Sequence, residues 1–201
     1  MPESAIARRN ILNPVMLKVP PTVAHLPGRP KVAILSRLAR VAVRISARLT
    51  GLAPVRCEKD DQGVPQPSNG IYWSVAHKPE WVAGVVAAAP VGIDIEKIRP
   101  QTDSLYRRIA GPQEWRLGAG LAKTHLFYRV WTAKEAVLKA EGLGLRGLAR
   151  CRLTAIADQD RMRLRFDQHA WTIVHHDLPN HVAALTLVAD CIRWQINPGW
   201  C

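Results

Sequence analysis

The stretch Trp81-Val82-Ala83-Gly84-Val85-Val86-Ala87-Ala88-Ala89-Pro90-Val91-Gly92-Ile93-Asp94-Ile95-Glu96 decides how the rest of the chain is read. Two apolar runs, 81–88 and 91–96, flank Pro90, which cannot donate to a ladder and therefore separates two strands. In the second run Ile93 and Ile95 alternate with Asp94 and Glu96. A period of two sends the isoleucines into a core and puts both carboxylates on the opposite face. Two like charges on one face repel, and a cation between them relieves the repulsion. Mg²⁺, a hard ion that takes oxygen ligands and shares its shell with water and substrate phosphates, suits such a pair. An exposed face whose acids pair with Lys97 and Arg99 accounts for the same pattern equally well.

Upstream, Ile71 to Val75 reads as another strand, reached through the turn-rich passage Asp60 to Gly70. Before it, Ile34, Leu35, Leu38, Val41, Ile45 and Leu49 recur at helical spacing, with Arg37, Arg40, Arg44 and Arg48 along another side, until Gly51 and Pro54. This predicts an amphipathic basic helix over 31–49 whose arginine row is a solvated face. Residues 1–30 are rich in proline and lack periodicity, so they are expected to wrap a surface without forming an element.

Downstream, helices are expected around 105–109, over 112–121 and, most strongly, over 123–141, where Gly142, Gly144 and Gly147 stop the pattern. Alternation in 161–166, 171–174 and 182–188 then predicts three or four antiparallel strands. Each half thus holds one major helix and a few strands, meeting near Pro90: an α+β chain divided into 1–89 and 90–201.

Size and charge bound the rest. The 201 residues are 48% hydrophobic, enough for a packed core, and 28 basic against 16 acidic residues leave a formal charge of +12. Such a surface favours a polyanionic partner: nucleic acid, a nucleotide cofactor or an acidic protein. Cys57, Cys151, Cys191 and Cys201 are too scattered for a zinc site or a disulfide scaffold. No apolar run follows Arg8 and Arg9, and 81–93 is interrupted and short of the ~20 residues that cross a bilayer, so a soluble cytoplasmic protein without a membrane role is expected.

Two further clusters carry chemistry. In Trp131-Thr132-Ala133-Lys134-Glu135-Ala136-Val137-Leu138-Lys139, Glu135 and Lys139 lie one turn apart on a helix, where they can present a carboxylate to a metal and an ammonium to a phosphate. A capping box from Thr132 to Glu135, or a surface ion pair between Glu135 and Lys139, explains the same residues. The third cluster is Ser74-Val75-Ala76-His77-Lys78-Pro79-Glu80-Trp81, a His-Lys loop between two strands that could hold phosphate, although a lone surface histidine is commoner.

Taken in order, His-x-x-x-Trp, Gly-Ile-Asp-Ile-Glu, and Trp-Thr-x-Lys-Glu-Ala-x-x-Lys followed by Gly-x-Gly-Leu resemble the 4'-phosphopantetheinyl transferases, especially the larger surfactin-activator (Sfp) type. The resemblance covers roughly 56–145. It implies two similar helix-plus-antiparallel-sheet subdomains related by a pseudo-two-fold axis, with coenzyme A between them. It implies Mg²⁺ held by Asp94, Glu96 and Glu135, Lys139 on the phosphates, His77 at the 3'-phosphate end of coenzyme A, and Lys78 beside it. Glu135 and Lys139 become the catalytic pair and Glu114, in Glu114-Trp115, a supporting residue. The implied reaction moves phosphopantetheine onto a serine of an acyl or peptidyl carrier protein in fatty acid, polyketide or nonribosomal peptide biosynthesis, releasing 3',5'-adenosine bisphosphate, with a monomer as the working form.

The chain departs from the family pattern at three points. Ala76 stands where a serine usually precedes the histidine, Val64 replaces the lysine of Gly-Lys-Pro, with Lys59, Lys78 or an arginine as substitutes, and the amino-terminal segment is short. The competing readings are a family member that has lost turnover and a basic nucleic-acid- or protein-binding module in which the arginine helix does the work; nucleic acid is the less expected partner.

Overall fold

A computed structural model describes residues 10–197; Arg8, Arg9 and Cys201 lie outside them. The chain opens with β1 (Ile11–Leu12), β2 (Val15–Lys18) and the short α1 (Pro21–Ala24). The basic helix follows as α2 (Gly28–Thr50), then β3 (Tyr72–His77) and β4 (Trp81–Ala87). Beyond Pro90 come β5 (Ile93–Lys97), α3 (Asp103–Ile109), α4 (Pro112–Arg116) and α5 (Lys123–Ala140). A 3₁₀ turn at Gly144–Arg150 leads into β6 (Cys151–Ile156), β7 (Arg161–Phe166), β8 (His169–Leu178), β9 (His181–Thr186), β10 (Cys191–Ile192) and β11 (Gln195–Ile196).

The architecture is α+β, as expected. One sheet runs β11-β2-β4-β3 and carries α2; the other runs β5-β9-β8-β7-β6 and carries α5. Pairing is antiparallel except that β11 runs parallel to β2, which returns the chain to the first sheet, and β10 runs parallel to β1 in a separate two-stranded sheet. The sheet faces turned away from the helices share a core of Met16, Trp81, Ala83, Val85, Ile93, Ile95 and Leu185.

The same device seats both helices. A Cβ on Gly84 would lie 2.6 Å from the backbone nitrogen of Val43 and 2.9 Å from the carbonyl of Ala39, so only glycine lets α2 approach β4. At Gly92 a Cβ would fall 1.8 Å from the Ala136 carbonyl oxygen of α5. A methyl group there must push the helix off the strand. Gly92→Ala is expected to lose about 3 kcal/mol, roughly 5–10 °C in melting temperature, in a thermal melt. An unchanged melt would mean that the helix is not in contact there.

Two expectations need correcting. Residues 15–18 do form an element: β2 sits inside the first sheet, with Val15 and Leu17 against α2 and Met16 in the core between the sheets. Burial on both faces erases the alternation that marks a half-exposed strand. The arginine row of α2 is also not uniformly solvated, since Arg37, Arg44 and Arg48 are exposed while Arg40 is half-buried. The buried side of that helix is built mainly from Leu35, Ala39, Ala42, Val43, Ser46 and Ala47, and Leu49 points outward. Gly51, with φ +74°, ends the helix in the left-handed conformation its lack of a side chain permits.

Candidate active site

The site forms where β3, β5 and the end of α5 meet. Ile93 and Ile95 are fully buried in the core, so Gly92, Asp94 and Glu96 face α5. The Ile93 amide donates to Ser74 Oγ at 3.1 Å, which ties β5 to β3 and occupies the hydroxyl of Ser74. Thr132, deep inside α5, donates to the Tyr128 carbonyl at 2.8 Å and starts no helix.

Lys139 is the hub. Its Nζ donates to the Val75 carbonyl at 3.2 Å, the Ile93 carbonyl at 2.9 Å and Asp94 Oδ1 at 2.8 Å. The carboxylate one helical turn away, Glu135, is not its ion-pair partner. Lys78 Nζ stands 2.7 Å from Glu96 Oε1, while Lys97 pairs with Glu80, which His181 Nε2 also approaches at 3.4 Å. The proposed surface pairs of Asp94 and Glu96 with Lys97 and Arg99 are therefore not the ones that form.

The charges remain crowded despite these lysines. Burial and then the Asp94 charge push the Glu135 carboxyl up to about 7, and the same two causes raise Glu96 against the pull of Lys78. Among the described residues, Asp94 Oδ2 is buried without a hydrogen-bond partner. On the other side, burial and then Lys139, Lys78 and Lys59 lower the His77 pKa. Three carboxylates thus adjoin four basic groups.

Asp94, Glu96 and Glu135 are not closed around a common point; among the described residues no group of three potential ligands is arranged to hold a metal ion. Their chemistry nonetheless fits a divalent cation: all donors are hard oxygens, one is orphaned in the interior among the described residues, and burial and then mutual repulsion raise Glu96 and Glu135. A small cavity of about 190 Å³ opens beside them, lined by Lys78, Glu96, Gln101, Tyr128 and Trp131. The larger apolar cleft around Tyr106, Trp115 and Leu126 contains none of the three carboxylates.

Sequence reasoning missed one buried pair. Lys134 Nζ lies 2.7 Å from Glu114 Oε1 and donates to the Ile109 carbonyl at 2.8 Å. Glu114 also accepts from the amides of Gly111 at 2.9 Å and Leu153 at 2.8 Å. Burial alone would raise its pKa, but Lys134 and the two amides hold it below the ordinary value. The pair locks α4 and the edge strand β6 onto α5, so Glu114 supports the fold. The signal available in sequence was a charged residue at each of two otherwise buried helical positions.

The arrangement defines a class. Residues 90–186 match the 4'-phosphopantetheinyl transferase superfamily. The chain is similar to the Sfp type: it is 34% identical over 79 residues to the 4'-phosphopantetheinyl transferase Sfp of Bacillus subtilis (strain 168), covering 37% of this chain and 34% of that one. It is 32% identical over 78 residues to another 4'-phosphopantetheinyl transferase of Bacillus subtilis, covering 37% and 35%. With the 4'-phosphopantetheinyl transferase HetI of Nostoc sp. the identity is 30% over 133 residues, covering 63% and 55%. The matched stretches span between about a third and about half of these relatives' lengths.

Proposed function

We propose that this chain transfers the 4'-phosphopantetheine arm of coenzyme A to a serine of an apo acyl or peptidyl carrier protein. The observation that carries this reading is Lys139, which ties Asp94 of β5 to the Val75 carbonyl of β3, the strand that ends in His77. An acidic group beside a basic group suits a pyrophosphate that needs both a metal and direct cationic contacts.

In this reading Asp94, Glu96 and Glu135 hold Mg²⁺, which supplies Lewis-acid neutralisation of the pyrophosphate when bound. Lys139 and Lys78 position the phosphates, and His77 contacts the 3'-phosphate end. The serine Oγ forms a bond to the β-phosphorus as the bond to the bridging oxygen breaks, and 3',5'-adenosine bisphosphate leaves. Glu135, raised to about 7, is matched to accept the serine proton near neutral pH. A bound cation lowers that value, which ranks its ligand role ahead of its role as base. The net positive charge favours approach of anionic coenzyme A and acidic carrier surfaces.

We assign the halves 1–89 and 90–201 as pseudo-two-fold-related subdomains, on the strength of the matching Gly84–α2 and Gly92–α5 contacts. A cytoplasmic location and a monomeric working form are part of the proposal; among the described residues Cys57, Cys151 and Cys191 are free and no helix is long and apolar enough to cross a membrane.

Incubation with coenzyme A, Mg²⁺ and a panel of apo carrier proteins tests the reading by intact mass. One added phosphopantetheine per carrier is expected, lost on chelation of the metal. If every carrier kept its apo mass, the proposed activity would be wrong.

A further inference from the structure

The second sheet is covered over only part of the face that turns away from α5. That face begins at Ile93 and Ile95 of β5, continues through Ala183 and Leu185 of β9, and is buried there against the first sheet. Beyond β8, where His176 stacks on Trp194 at 5.2 Å, the same face is open. Alternation sends Met162, Leu164 and Phe166 of β7 into the α5 core and puts Arg161, Arg163 and Arg165 on the open side, all three exposed. Arg152 of the edge strand β6 is the direct cross-strand partner of Arg165. Like charges directly opposite each other destabilise a sheet, so the fold gains nothing from this pair.

Few acids answer these cations. Asp158 stands 4.0 Å from Arg161, but its Oδ1 already accepts from the amides of Asp160 and Arg161, which closes the turn between β6 and β7. Glu114 stands 3.9 Å from Arg152 and is committed to Lys134 at 2.7 Å. Among the described residues Arg116, Arg163 and Arg165 make no ion pair. Arg116 of α4, Arg152 and Arg165 come together around a groove of about 820 Å³, which is also lined by Pro112 and by Leu117, itself 45% exposed. β6 lies four strands from β5, roughly 19 Å across the sheet, and the arginines are on the face opposite Asp94 and Glu96. This surface is therefore separate from the candidate active site.

We propose that the open face of β6 and β7, with the groove beside α4, docks an extended acidic polypeptide segment: carboxylates at alternate residues meet Arg163, Arg165 and Arg152, and an apolar residue beside them rests on Leu117. Arginines at alternate positions of β7 stand about 7 Å apart, which is the spacing of alternate side chains in any extended chain. Arg150, just before β6, already takes a carboxylate, that of Asp167, at 2.7 Å. A nucleic acid strand fits less well. No aromatic side chain lines the groove or stands among the exposed residues of β6 and β7, so bases have nothing to stack on, whereas Pro112 and Leu117 suit an aliphatic side chain.

Fluorescence anisotropy at low salt tests this with a labelled synthetic peptide in which glutamate alternates with serine and the last residue is leucine. Arg163→Ser combined with Arg165→Ser is expected to weaken binding about tenfold or more, the loss of two charge-assisted contacts. Arg37→Ser combined with Arg48→Ser removes the same charge from the exposed side of α2 and should change binding less than about twofold. Leu117→Ser should weaken binding of this peptide and leave that of a version ending in serine unchanged. All these side chains are exposed, so every variant should melt close to wild type. Equal losses in the two arginine pairs would reduce the binding to net charge and overturn the proposal, as would failure of the unaltered protein to bind the peptide. An equal response of the two peptides to Leu117→Ser would overturn the apolar seat. Tighter binding of oligothymidylate, lost with Arg163 and Arg165, would make the face a phosphate-backbone surface and overturn the assignment to an acidic polypeptide.

Discussion

Alanine at position 94 is expected to reduce phosphopantetheine transfer by about 10²–10³-fold or more while leaving the chain folded. Asp94 occupies the centre of the acidic group: it is the charge that raises both Glu96 and Glu135, and its Oδ1 takes Lys139 at 2.8 Å. Removing it takes away one metal donor and also frees Lys139 from its only carboxylate contact among the described residues. The fold should tolerate this. Lys139 is about a quarter exposed and keeps the Val75 and Ile93 carbonyls, and the repulsion among the remaining acids falls. Transfer rates against a carrier protein, with a thermal melt of the same sample, check both halves of the expectation. Undiminished transfer would dismiss the metal site as assigned, and a collapsed melt would show Asp94 to be part of the fold's support.

The second large effect is on stability. Lys134→Ala is expected to cost about 3–5 kcal/mol, because it leaves buried Glu114 with only the exposed Arg152 guanidinium, at 3.9 Å, as counter-charge. The two amides that bond Glu114 cannot neutralise it, and α4 and β6 lose their common anchor on α5. Replacing both members, Lys134→Met with Glu114→Gln, removes the uncompensated charge and should lie closer to wild type than Lys134→Ala alone. Chemical denaturation of the three variants measures this coupling. A loss below about 1 kcal/mol in Lys134→Ala would mean that Glu114 reaches water or protonates at little cost.

These two lysines, 134 and 139, stand in one motif and look alike in sequence. Both are cations on a helix near a carboxylate, and local spacing offers Glu135 as the neighbour of each. Neither takes it. Lys134 reaches Glu114 on α4 and Lys139 reaches Asp94 on β5. A helix periodicity states which face a residue lies on but says nothing about which distant strand will cover that face.

Elements were legible to the same degree as their patterns were local. The alternation of Asp94 and Glu96 with two buried isoleucines, the stop of α2 at Gly51 and the end of α5 near Gly142 all follow from backbone geometry within a few residues. β2 was hidden because both its faces are buried, and β6 because a register shift between Leu153 and Ala155 breaks its alternation.

By itself the sequence determined the strand-helix order, the acidic face of β5 and the ordered motifs that mark the superfamily. Only the tertiary structure decided the pairings: Lys139 with Asp94, Lys78 with Glu96, and Lys134 with Glu114. The physical reason is range. Side-chain direction is set by dihedral angles one residue at a time, whereas an ion pair between residues 45 positions apart, as for Lys139 and Asp94, exists only after the sheets and helices that carry them have packed.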